Sequence, residues 1–211
     1  MKNKQILLNE NQYRLLFESD DFTENLVKLK KLIESGQKEN IEIAFQLGGG
    51  MESYIPNFKL DEYLKTEYQS LIDFINIGRD KVQGENIFEQ VSYIFTLSIL
   101  RLYNLGLTSL SVDLKKLANL KALYIGKNKF DNFPLIVCDI IGLETLNVVD
   151  NNFKKIPNEI SKLINLKDLN LADNDWISIQ EVKSIKKMIP KCIIKYTLDL
   201  PDSEHKAYRQ L

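Results

Sequence analysis

Among 211 residues there is one histidine, His205, and there are two cysteines, Cys138 and Cys192. A single imidazole excludes most histidine-built metal centres and most histidine-activated nucleophiles. Two thiols are too few for a disulfide framework and suit a reducing compartment, which points to the cytoplasm. Long apolar runs are missing as well. Nothing approaches the ~18 consecutive apolar residues that a membrane helix needs. The opening MKNKQILLNENQ turns polar after Leu8, so it does not read as a signal peptide. Charge of one sign is lacking: 28 basic groups face 29 acidic ones, for a net charge of −1. What remains is ordinary for a globular chain, with 44% hydrophobic and 27% charged residues.

What is present is a repeat. Moving 23 residues from Leu146 lands on Leu123 in one direction and Leu169 in the other. At the same offset Asn151 maps to Asn128 and Asn174, Val148 to Ile125 and Leu171, and Phe153 to Phe130 and Trp176. The copies read LKALYIGKNKFDNFP, LETLNVVDNNFKKIP and LKDLNLADNDWISIQ. A weaker copy, LSILRLYNLGLTSLS, precedes them, with Leu105 in place of the asparagine. Fixed-period self-similarity of this length is the signature of a solenoid.

The pattern L-x-x-L-x-L-x-x-N-x-(apolar)-x-x-(apolar)-P resembles the leucine-rich repeat family, in its 23-residue class, over roughly residues 94–198. The resemblance implies an α/β solenoid with a short parallel sheet on its concave face. It also implies that Asn128, Asn151 and Asn174 form a structural asparagine ladder at the bend after each strand. Elementary chemistry agrees, since a carboxamide offers donors and an acceptor to backbone groups that a tight bend leaves unpaired. A non-catalytic role in binding a protein partner is what the family implies.

Residues 1–93 carry no repeat. Apolar spacing predicts one helix from about residue 22, capped by Asp20 or Asp21 and stopped at Gly36. A short second helix is expected in NIEIAFQLGGG, ending at its glycines, and a third in KLDEYLKTEYQSLIDFINIG. Residues 86–97 are left open between helix and strand. Together these read as an α-helical N-terminal region that covers the apolar end of the stack. Residues 180–189 read as a helix stopped by Pro190. Cys192, 23 residues after Leu169, falls on a buried leucine position, and with Ile194 forms a closing half-repeat. Residues 199–211 are expected to be a polar, frayed tail.

No constellation for catalysis emerges. Gly48-Gly49-Gly50 lacks the Gly-Lys-Ser/Thr of a phosphate loop. Cys138-Asp139 lies inside a repeat, aligned with Ser161, and reads as an ordinary surface thiol. Asp173 and Asp175 lack the further oxygens that a calcium site requires. No cofactor and no metal are expected, and the chain is read as not an enzyme.

Strand alternation sends the leucines inward and the intervening residues to the concave face. Stacking the copies gives columns: Ile99, Ala122, Thr145, Asp168; then Arg101, Tyr124, Asn147, Asn170; then Tyr103, Gly126, Val149, Ala172; then Asn104, Lys127, Asp150, Asp173. One end is aromatic and basic, the other acidic. Arginine and tyrosine are interface-anchor types. The candidate protein-binding residues are therefore Arg101, Tyr103, Tyr124, Lys127, Asn147, Asp150, Asp168, Asn170 and Asp173. Neither nucleic acid nor membrane is expected as a partner, because no dense basic patch with stacking aromatics appears. A different class of function rests on charge. Residues 1–93 hold 11 basic and 16 acidic groups, net −5, against 17 and 13, net +4, in the remainder. An acidic helical region could itself bind, as an enzyme regulator or toxin-neutralising immunity-type protein.

Overall fold

The computed structural model describes residues 21–174, 177–199 and 206–211. Expectations that fall on Asp20, Asp175, Trp176 and His205 lie outside these residues. The chain folds as two compact units. One comprises the described part of Met1–Ile72 with Gln83–Thr96, and the other Asp73–Val82 with the described part of Leu97–Leu211. The division thus falls three residues later than the sequence boundary at 93/94, and the stretch 73–82 belongs with the repeats.

The first unit is built from helices α1 (Phe22–Glu34), α2 (Lys38–Tyr54), most of α3 (Leu60–Ile75) and α4 (Ile87–Thr96). Asp21 caps α1 by accepting the Thr23 N–H at 2.8 Å, and Gly36 ends it in the left-handed region at φ 71°. Leu29 and Ile33 of α1, Ile41, Ala44, Leu47 and Met51 of α2, and Leu60, Leu64 and Leu71 of α3 supply buried apolar side chains. The Tyr68 ring meets Phe95 of α4 edge-on at 5.0 Å. Burial pushes the Tyr68 phenol far above its ordinary range. The second helix does not end at its glycines. It runs through them, because Gly48 is where α2 approaches α3: a Cβ there would stand 2.6 Å from Leu60 Cδ1. The junction left open by the sequence is helical over Ile87–Thr96, with Ile87, Val91, Ile94 and Phe95 buried.

The second unit is a solenoid. Strands β1 (Ile99–Arg101), β2 (Ala122–Tyr124), β3 (Thr145–Asn147), β4 (Asp168–Asn170), β5 (Ile193–Asp199) and β6 (Lys206–Gln210) form one sheet in chain order. The first five are parallel. Leu100, Leu123, Leu146 and Leu169 lie opposite one another, so the register advances by 23 residues at each of the first three steps. Short 3-10 turns, Val112–Lys116, Leu135–Asp139 and Asn158–Lys162, return the chain on the convex side. Leu100, Leu102, Leu123, Ile125, Leu146, Val148, Leu169 and Leu171 are fully buried. In the last coil a helix, α5 (Ile179–Met188), replaces the 3-10 turn.

Three expectations fail in this unit. The last coil is two residues longer, so Ile194, not Cys192, stands opposite Leu169; Cys192 is buried just before the strand. Cys138 is not a surface thiol but fully buried. It lies where the second and third 3-10 turns meet, beside the 3.0 Å ion pair of Lys162 and Asp139, whereas the aligned Ser161 lines an open recess next to Met188 of α5. The tail does not simply fray: Lys206–Gln210 pairs antiparallel with β5, from Lys195 opposite Gln210 to Asp199 opposite Lys206. Among the described residues no helix is long and apolar enough to cross a membrane, and no cluster of metal-ligating side chains forms.

Candidate functional site: the concave face

The bends after the strands fix the geometry of this face. Asn128 donates through Nδ2 to the carbonyls of Leu102 (2.7 Å), Ile125 (2.9 Å) and Gly126 (3.2 Å). Its Oδ1 accepts the N–H groups of Leu105 (3.1 Å) and Leu107 (3.0 Å), so it serves the coil that has a leucine in place of its own asparagine. Asn151 repeats the arrangement with Ile125, Val148 and Val149, and Asn174 with Val148, Leu171 and Ala172. All three are buried, and each ties its own coil to the one before. Strands β1–β5 and their returning segments are a leucine-rich repeat stack.

The residue just before each ladder position has a positive φ: Asn104 57°, Lys127 52°, Asp150 53° and Asp173 56°. This column lies on the bend, at the rim of the sheet, and all four residues are exposed. Asparagine and aspartate tolerate that backbone conformation; lysine tolerates it poorly.

Inside the rim, the floor is set by the strands. Arg101 is exposed and its guanidinium stacks over the Tyr124 ring at 5.8 Å. Lys127 reaches back over the Tyr103 ring at 5.9 Å. The four residues of the basic, aromatic end are thus joined in two cation–π pairs. Arg101 also binds Asp80, with Nη1 3.0 Å from Oδ2. Asp80 belongs to the stretch 73–82, whose loop is held by Asn76 Oδ1 accepting the Val82 N–H at 2.7 Å.

The middle of the floor is low. Ala122, Gly126, Thr145 and Ala172 are small, and a Cβ on Gly126 would lie 2.5 Å from Val149 Cγ1. Asn147 and Asn170 are half-buried, and each oxygen accepts an N–H of its own bend, from Val149 (3.2 Å) and Ala172 (3.1 Å). The far end is less acidic than the four-column alignment implies. The fifth strand adds Lys195 beside Asn170, and its ammonium pairs with Asp168. Thr197 Oγ1 accepts the Asp173 N–H at 2.7 Å. Asp150 remains exposed on the rim.

Sequence reasoning therefore missed Asp80, Lys195 and Thr197. The last two are recoverable by aligning Ile194 with Leu169 across the longer final coil. Asp80 sits outside the repeat and carries no periodic signal. Burial pushes both thiols up to about 11, Cys138 with help from Glu159 and Cys192 with help from Asp168. Neither is poised as a nucleophile at neutral pH.

No family model and no curated protein matches the chain. Among solved structures it is similar to a leucine-rich repeat protein of Leptospira interrogans, at 27% identity over 55% of this chain, with a TM-score of 0.38. It is also similar to two internalins of Listeria monocytogenes. The first has 23% identity over 50% of this chain and a TM-score of 0.39; internalin C2 has 16% over 65% and 0.45. The chain spans 34%, 29% and 57% of those three proteins, respectively.

Proposed function

We propose that the repeat stack is a non-catalytic binding module that holds a protein partner on its concave face, in the bacterial cytoplasm. The observation that carries this reading is the cluster of Arg101, Tyr124, Tyr103 and Lys127. Two tyrosines and two cations stand together on the first two coils, over a floor of small residues. Tyrosines already stacked against cations lose little freedom on binding and offer large contact area. Asp150, Asp168 and Asp173 orient the partner more than they hold it. The test is capture of a partner from native cytoplasm by the full chain and its variants. Tyr124→Ala weakens an anchor by ~1–2 kcal/mol or more, while the convex change Lys162→Glu leaves capture intact. Retained capture with Tyr124→Ala and lost capture with Lys162→Glu would put the binding face on the other side.

A further inference from the structure

The central row of the concave face runs, one residue per strand, Arg101, Tyr124, Asn147, Asn170, Lys195. Across the five parallel strands it begins and ends in a cation, with Gln210 of β6 beside Lys195. Both cations already hold a carboxylate from this chain: Asp80 on Arg101 and Asp168 on Lys195. Between them, Asn147 and Asn170 commit their oxygens to backbone N–H groups. What each carboxamide then offers a visitor is chiefly its NH2 group. Tyr124 adds a phenol. The row is thus a line of hydrogen-bond donors without a carboxylate of its own.

Resting on the concave-face reading, we propose that the partner segment is an extended acidic peptide lying across the strands. One of its carboxylates replaces Asp80 on Arg101, and a second engages Lys195. Spacing limits the peptide. Four steps of ~4.8 Å between strands set the Cα atoms of Arg101 and Lys195 ~19 Å apart. The roughly five intervals of an extended hexapeptide, at ~3.4 Å each, span ~17 Å, and the long side chains cover the remainder. A carboxylate presents the planar pair of oxygens that a guanidinium fork takes up. Asp80 makes one such contact within the molecule, Oδ2 to Nη1 at 3.0 Å, and it is exposed enough to leave: its side chain is 37% accessible, against 51% for Arg101. The row itself has no carboxylate to offer a basic segment. Asp80 thus keeps Arg101 stacked on Tyr124 and screens it from stray anions.

The probe is a capped hexapeptide with glutamates at both ends and small neutral residues between, labelled for fluorescence anisotropy and followed by amide shifts in NMR. Controls are the same peptide with terminal glutamines and one with its two glutamates adjacent. The expected result is that only the end-spaced acidic probe shifts Arg101, Tyr124, Asn147 and Lys195. Asp80→Asn tightens that probe about threefold to tenfold by removing the internal competitor, while Arg101→Gln and Lys195→Gln each weaken it by a similar factor. Circular dichroism of each variant establishes that it is folded. Equal binding of the glutamine probe, or no tightening in Asp80→Asn, overturns the acidic-peptide assignment. If Tyr124→Ala still loses the native partner, the concave reading survives that result. Shifts confined to the convex turns sink both.

Discussion

The side-chain oxygen of Asn174 accepts the backbone N–H of Asn151 at 3.1 Å, so one ladder residue bonds directly to the next across the gap between coils. The Nδ2 group of Asn174 meanwhile reaches the Val148 carbonyl at 3.2 Å. Both ends of the amide are engaged, on two coils, in a buried site. A solenoid has only nearest-neighbour interfaces to hold it together, so such bonds couple otherwise separate units.

Asn151→Ala removes four hydrogen bonds through the side chain, to Phe130, Ile125, Val148 and Val149, and leaves buried backbone groups without a partner. The expected loss is ~1–3 kcal/mol, read as a lower midpoint in urea. Asn151→Asp gives no rescue, because a carboxylate has no N–H to donate to the three carbonyls. An unchanged midpoint in both variants would remove the ladder from the list of stabilising features.

The floor of the concave face depends on Gly126. A methyl group there would meet Val149 Cγ1 at 2.5 Å and the Val149 carbonyl oxygen at 2.9 Å. Gly126→Ala therefore forces coils two and three apart and costs ~1–3 kcal/mol. Adding Val149→Ala removes the side-chain clash but not the carbonyl one, so the double variant recovers only part of the loss. Thermal or urea midpoints for the two single variants and the pair test this. Full additivity of the two single effects would mean that the two residues do not touch.

Much of this architecture was readable in the sequence because its period is rigid. Leu123, Leu146 and Leu169 align at a constant offset, and each must be buried, so strand and register follow from counting, and the ladder from the resemblance to leucine-rich repeats. The reading failed where the period breaks. The helix Ile179–Met188 adds two residues, which moves Ile194 to the place assigned to Cys192. Cys138 was misplaced for a related reason. Its alignment with Ser161 fixes a position along the coil but not what the next coil lays over it, and α5 stands where the next 3-10 turn would have covered Ser161. Gly48 reads as a stop by composition, yet tertiary packing against Leu60 keeps it inside a helix. The concave columns were legible down to single residues. Their partners Asp80 and Lys195 were not, since one lies outside the repeat and the other beyond the irregular coil.

The buried thiols make the fold sensitive to alkali. Each has a native pKa of about 11, raised from 9.0 chiefly by burial. Between those values the unfolded chain releases the thiol proton while the native chain keeps it. The native state then binds more protons, so stability falls as pH rises from about 9 to about 11. For one thiol the loss at pH 10 is roughly 1 kcal/mol. Urea midpoints at pH 8 and pH 10 should therefore separate further for the parent than for Cys138→Ala, which lacks one of the two groups. Both thiols should also react slowly with a thiol reagent until denaturant is added. Rapid labelling of Cys138 in the native protein would place it back on the surface.

Lys127 is the residue whose chemistry fits its backbone least. The equivalent positions in the other coils hold Asn104, Asp150 and Asp173, all with φ between 53° and 57°, and Lys127 adopts 52°. A side chain without a short polar group costs of order 1 kcal/mol in that region. The contact with Tyr103 offsets part of this, about 0.5 kcal/mol for an exposed cation over a ring. Lys127→Asn should thus raise stability by no more than ~0.5 kcal/mol in the parent. In a Tyr103→Leu background, where the ring contact is already gone, the same change should raise it by ~1 kcal/mol. Comparing urea midpoints across the four proteins isolates the two terms. A fall in stability in both backgrounds would show that no strain resides at this bend. A gain, together with weaker partner capture by Lys127→Asn, would mean that the chain keeps a strained lysine because the concave face uses its charge.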